Sequence, residues 1–240
     1  SEELDFAFFS WLLECEISHD PLETNEYQEK ERKLLKMLEV DLCDSVLIPR
    51  RPASLPMLIK LLNDENSSHI QLSKMLLTDP ALTAEILKTA NTPYFRSTSD
   101  EVSSIEHAVL ILGRQGIRNI ISATILMPML KGQGGKEGPF SQKAWQWALV
   151  SATASNLYAE VKNKDPGPLY LLGLLPSLAY LLIFRRLLNY EKERPEIGEI
   201  EPGMIKSILS QRSWQLCHQI CEQWGLADVC KQYLVEAENQ

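Results

Sequence analysis

Four histidines and five cysteines are the side chains in this 240-residue chain best suited to hold a metal or carry a reaction. Cys217, His218 and Cys221 come close together, with Cys230 further on. On a helix Cys217 and Cys221 lie one turn apart and face the same way, so both could reach one soft cation such as zinc. Structural zinc sites more often space their cysteines by two residues, and a reduced cysteine commonly behaves as a small buried hydrophobe. The three cysteines are therefore expected in the core. His19 and Asp20 form the one adjacent His-Asp pair, in the polar turn Ser18-His-Asp-Pro21. His69 and His107 fall in first turns of helices, where a structural role is expected. Carboxylate neighbours, Asp64 with Glu65 and Glu199 with Glu201, read as solvated loop charges. No Gly-rich phosphate loop and no nucleophile elbow is present. By residue type and spacing, the chain nominates no catalytic site.

Composition narrows the classes. With 45% hydrophobic and 23% charged residues, the chain is an ordinary globular protein with enough length for a substantial core. A net charge of -8 argues against nucleic acid as a partner, since that requires a basic face. Arg50-Arg51 and Arg185-Arg186 are the tight arginine pairs, too short to reverse the acidic background. An odd cysteine count without a disulfide-like pattern or signal peptide predicts a reducing, cytoplasmic setting. The first residue is not methionine, which suggests trimming from a longer chain.

The elements that must position these residues all read as helices. Leu4-Asp-Phe-Ala-Phe-Phe-Ser-Trp-Leu-Leu13 is apolar on most sides and predicts a buried helix. Glu26 to Leu42 carries Leu34, Leu35, Leu38 and Leu42 behind a charged face. A proline-punctuated stretch, Ile48 to Pro56, is extended by its X-Pro bonds. A helix over Met57 to Asn63, a loop at 64–68, and a helix opened by Ser68 and Gln71 follow. The central helix has marked ends: Asp79 can cap it, Pro80 suits its first position, and Asn91-Thr-Pro93 stops it. Leu82, Ile86 and Ala90 give it one apolar face, with Leu87 alongside. After an irregular loop at 94–101, Ser103 and Glu106 have capping-box spacing for a helix to Leu112. Gly113 suits a left-handed cap, and Ile117 to Leu130 continues as helix.

Lys131 to Pro139 holds four glycines and a proline, and predicts a linker before a helix that runs from Ser141 to about Lys162. Residues 168–184 carry no charge and approach the roughly 17–25 residues of a membrane span. Gly173 and Pro176 interrupt the run, so a kinked helix buried on all sides is expected, and no membrane partner. Helices over Gly203 to Ser210, Ser213 to Trp224 and Ala227 onward close the chain. The fold class is all-α, a multi-helix bundle. The expected organisation is an N-terminal helical extension at 1–45 and a domain at 46–240, itself a lobe at 46–130, a linker at 131–139 and a second lobe at 140–240.

Several of these stretches, in this order, resemble the HDOD family, a bacterial relative of the HD phosphohydrolases. They are Leu47-Ile-Pro-Arg-Arg-Pro-Ala-Ser-Leu-Pro56, Thr78-Asp-Pro-Ala-Leu-Thr83, Leu87-Lys-Thr-Ala-Asn91, Val102-Ser-Ser-Ile-Glu-His-Ala-Val-Leu-Ile-Leu-Gly113, Ile117-Arg-Asn119 and Glu222-Gln-Trp-Gly-Leu226. The resemblance spans about Ile48 to Leu234 and implies an HD-like helical bundle. HD enzymes hold one or two metals with histidines and aspartates on several helices, and the metal activates water against a phosphoester. The resemblance places those ligands here at Trp147, at Pro176-Ser177 and near Ser213. Tryptophan offers only an N–H, proline no side-chain donor, and serine a weak neutral oxygen. His19-Asp20 does not replace them, because the metal-binding His-Asp of HD enzymes sits in an apolar helix.

The resemblance thus implies no catalytic residue, no bound metal and no cofactor. It implies a non-catalytic signal-transduction module that binds protein partners, or a nucleotide in the remnant pocket; the alternative is a metal-dependent phosphodiesterase. The loops at 94–101 and 131–139 are candidate partner surfaces by exposure. Trp145 and Trp147 are expected as core rather than ligand platforms. Oligomeric state, including a homo-oligomer, is left open.

Overall fold

The computed structural model describes residues 2–17, 24–57, 60, 69–78, 80–92, 101–132 and 134–226. Among these, eight α-helices and one short 3-10 turn account for the regular structure, and no strand occurs. The helices are α1 (Glu2–Leu13), α2 (Asn25–Cys43), α3 (His69–Leu76), α4 (Pro80–Ala90), α5 (Ile105–Leu126), α6 (Glu137–Val161), α7 (Pro166–Glu193) and α8 (Pro202–Gln223). The turn at 18–21, the loops at 64–68 and 94–100, the caps Ser68 and Asp79, most of the helix expected at 57–63, and everything from Ala227 lie outside the described residues.

The chain divides into two compact units. The first gathers residues 1–50, 129–150 and 175–240, and the second residues 51–128 and 151–174. In the second unit, α3 and α4 pack on α5. Leu82, Ile86 and Ala90 are buried, as their i, i+4 spacing predicts. Each large apolar side chain so buried contributes about 1.5–3 kcal/mol. Helix α5 answers with Ile105, Val109, Leu112, Ile117 and Ile121, all buried. It is capped by Ser104, whose hydroxyl accepts the His107 amide at 3.1 Å, one residue later than the Ser103 cap expected. Gly113 has φ 65° and ψ 173°, non-helical values that only glycine adopts readily, and the helix resumes beyond it.

Polar side chains lock this unit at its joints. The Asn91 amide donates to the Leu87 and Val102 carbonyls, both at 2.9 Å, and its oxygen accepts the Val102 amide at 2.8 Å. One side chain thereby stitches the end of α4 to the residues leading into α5. Thr83 donates to the Leu76 carbonyl, tying α4 to α3. Buried Arg118 pairs with Asp165 at 3.1 Å. Asp165 also accepts the Gly167 amide at 3.1 Å and so caps α7, with Pro166 in the first helical position. Gly173 is required by close approach: a Cβ there would lie 2.6 Å from the Ala152 Cα.

In the first unit, α2 buries Leu34, Leu38 and Leu42 and packs on α8. Asp41 accepts from Arg186 at 2.6 Å and from the Tyr190 hydroxyl, which fixes α2 to α7. Arg185 donates to Glu137 at 2.6 and 2.8 Å. The arginine pair is thus committed to carboxylates rather than displayed as a basic patch. Helix α6 begins at Glu137, inside the stretch read as linker, because Glu137 and Phe140 are buried and anchored. Gly134 and Gly135 take positive φ just before it. The two helices expected at 203–210 and 213–224 are one continuous helix, α8, ended by Gly225 at φ 74°. Ser213 satisfies helical geometry as easily as it would cap, and its neighbours Leu209 and Leu216 are both buried.

Helices α5 and α7 are long and apolar enough, by composition, to cross a membrane. The most apolar window of α7 is 78% buried in protein, which identifies it as a core helix.

Candidate functional site

The positions that the resemblance nominates as metal-ligand sites all lie in the first unit, on three helices. Trp147 is on α6, Pro176 and Ser177 on α7, and Ser213 on α8. An aromatic cluster reaches Trp147 and Ser213. The Phe8 ring of α1 lies 4.8 Å from Trp147 and 5.9 Å from Tyr180, centroid to centroid. Phe9 meets Tyr180 edge-on at 5.8 Å and Phe8 at 5.0 Å. Tyr180 follows Ser177 by one helical turn and hydrogen-bonds with Ser213. Burial chiefly, helped by nearby Cys217 and Asp5, raises the Tyr180 phenol above its ordinary value, while the Ser213 hydrogen bond acts the other way. The phenol is therefore neutral at physiological pH.

Ring contacts bridge these three helices. Phe9 is 4% exposed, Ser177 is fully buried and Ser213 is 9% exposed. The Ser177 hydroxyl has no hydrogen-bond partner among the described residues. The donors at hand are two neutral hydroxyls, a neutral phenol, one cysteine and the single carboxylate of Asp5. Divalent metals need several anionic or imidazole ligands held at bonding distance. This set does not fit them.

The other sequence candidates lie apart from the cluster or outside the described residues. Cys217 and Cys221 are buried as expected and in no disulfide, while His218 is 60% exposed and lies 3.8 Å from Glu222. Cys230 and His19 lie outside the described residues, as does the His69 side chain. His107 is exposed. Glu199 and Glu201 are exposed but not merely solvated. Glu199 pairs with Lys136 at 2.6 Å and Glu201 with Lys30 at 3.1 Å. Among the described residues, no group of three or more His, Cys, Asp or Glu side chains converges to hold a metal. A cleft of about 280 Å³ in the same unit is floored by Phe140, Phe184 and Ile205, and its Lys136 and Glu199 are paired with each other.

A family model for the HDOD domain matches residues 48–238. The chain belongs to the HDOD family. Two solved structures share its fold. A candidate metal-dependent phosphohydrolase from Shewanella amazonensis matches with a TM-score of 0.59 and 20% identity, over 82% of this chain and 71% of that one. An HDOD domain protein of unknown function from Geobacter sulfurreducens matches with a TM-score of 0.58 and 22% identity, over 85% and 68%. No curated protein matches the chain. HDOD membership and the all-α fold agree with the sequence reading.

The aromatic filling was missed in the sequence. Its signal was present in Leu4 to Leu13, a helix apolar on most sides, but nothing in one dimension says where such a helix docks. Tyr180 was likewise hidden inside a uniformly apolar run.

Proposed function

We propose that this HDOD chain is a non-catalytic signal-transduction module of the bacterial cytoplasm that acts by binding a protein partner. The supporting observation is chemical. Tryptophan, proline and two serines stand at the nominated ligand positions, and the Phe8 ring packs on the tryptophan. Water activation by a metal requires an open coordination position beside anionic or imidazole ligands. A single carboxylate, Asp5, among rings and neutral hydroxyls does not make such a set. What the fold retains is a helical scaffold suited to presenting a surface.

Elemental analysis of the tag-free protein, with a phosphodiester assay on bis-p-nitrophenyl phosphate in added Mn²⁺, tests this. The expected result is substoichiometric metal and no turnover above buffer. One or two equivalents of iron, manganese or zinc, with metal-dependent turnover, would return the chain to the phosphohydrolases.

A further inference from the structure

Helix α1 combines aromatic rings with acidic charge, and the surface beneath it answers both. Phe9 and Leu12 are buried and Phe6 and Phe8 are half-buried, so one face of the helix is seated while Leu4 and Trp11 look outward. Below lie Trp147 and Tyr180, with a lysine near each end. Lys206 of α8 sits over the Phe6 ring, 3.9 Å from its centroid. Lys143 of α6 donates to the Trp11 carbonyl at 2.6 Å, pairs with Glu14 at 3.0 Å and lies 5.4 Å from the Trp11 ring. A lysine on the last carbonyls of a helix opposes the negative end of its dipole. Around these contacts α1 and its continuation carry Glu3, Asp5, Glu14 and Glu16. Rings and lysine-held groups seat the helix, and those are the terms by which a helix enters a groove in protein recognition.

We infer that α1 is a displaceable strap, and that the surface it covers is a docking groove for an acidic, aromatic amphipathic helix of a partner protein. The inference rests on the reading of this chain as a protein-binding module. The groove selects paired aromatic residues followed three positions later by a leucine, as in Phe8, Phe9 and Leu12. It also selects a carboxylate near the helix C-terminus, where Glu14 meets Lys143. Because α1 is tethered, it competes at an effective concentration on the order of millimolar. A partner must therefore carry the same pattern with higher affinity, or arrive in multivalent form. Trp147, standing where the resemblance expects a metal ligand, becomes part of the groove floor.

Amide hydrogen exchange on the unaltered full chain tests the strap. Amides of α1 should exchange at least ~100-fold faster than those of α7, as expected for a locally opening segment. Exchange of α1 at the rate of α7 would overturn the inference. The groove is tested with a fluorescein-labelled peptide of residues 1–17, added to the full chain bearing Phe8→Ala and Phe9→Ala. Saturable binding of that peptide, lost when the peptide itself carries both alanines, is the expected result. No binding, or equal binding of the altered peptide, would overturn it. A metal-loaded, active protein would instead refute the non-catalytic reading and leave these exchange rates unchanged.

Discussion

The two units of this molecule use their sequence in opposite ways. In the second unit, the motifs that carry the HDOD resemblance are polar pegs: Asn91 bridges α4 to Val102, Thr83 ties α4 to α3, and Arg118 reaches Asp165. Each satisfies backbone or charge that burial would otherwise leave costly. In the first unit, the positions where the resemblance expects chemistry are Trp147, Pro176, Ser177 and Ser213; Trp147 packs on Phe8, and Ser213 hydrogen-bonds with Tyr180. The family signature that survives here is architectural. At the positions where the resemblance expects metal ligands, rings of α1 and α7 bridge Trp147 of α6 and Ser213 of α8.

Substitutions can break or sharpen that contrast. Arg118→Ala should cost most, about 3 kcal/mol, because it removes a buried guanidinium and leaves the half-buried Asp165 without its charge partner; urea denaturation reads it directly. Asn91→Ala should cost about 2 kcal/mol, since one change strands the Val102 amide and carbonyl and one Leu87 carbonyl bond. A loss below half a kilocalorie at either site would mean that the motif residues are not structural pegs.

The buried tyrosines give a pH test that spans both units. Burial raises the phenols of Tyr170 and Tyr180, and it raises Tyr190 together with its bond to Asp41. Their folded values lie above the unfolded ones. Their contribution is therefore whole below pH ~10 and is lost as the pH rises beyond it, by at most ~1.4 kcal/mol per pH unit for each tyrosine. Urea midpoints between pH 8 and 11 should fall past pH 10, and Tyr190→Phe should flatten that fall.

In the aromatic site, Ser213→Ala should cost only about 1 kcal/mol, the value of its hydrogen bond to Tyr180. A loss as large as that of Arg118→Ala would show the site to be polar at heart and the contrast false. Lys136→Ala should be the mildest, with no measurable shift of the urea midpoint, because its partner Glu199 is exposed and salt screens the pair.

Local chemistry was legible from the residues. The central helix at 80–90, its apolar face and its stop at Asn91 followed from proline geometry and i, i+4 spacing. Gly113 was legible because a positive φ favours glycine. Helix α6 started four residues early because the buried Glu137–Arg185 pair outweighs the local preference of a glycine-rich run, and that partner is 48 residues away in sequence. Ser213 looked like a helix start, yet continuous burial on both sides kept α8 intact.

For the site, sequence alone determined what could not coordinate a metal, because donor chemistry belongs to the side chain itself: tryptophan and proline cannot serve wherever they sit. It could not say that Phe8 of α1 meets Trp147 of α6 and Tyr180 of α7, or that Tyr180 in turn reaches Ser213 of α8. That depended on long-range packing, where apolar burial is non-directional and many partners satisfy the same helix. Only the tertiary structure decided that Phe8 and Phe9 lie against Trp147 and Tyr180, and so turned a list of missing ligands into a covered aromatic surface.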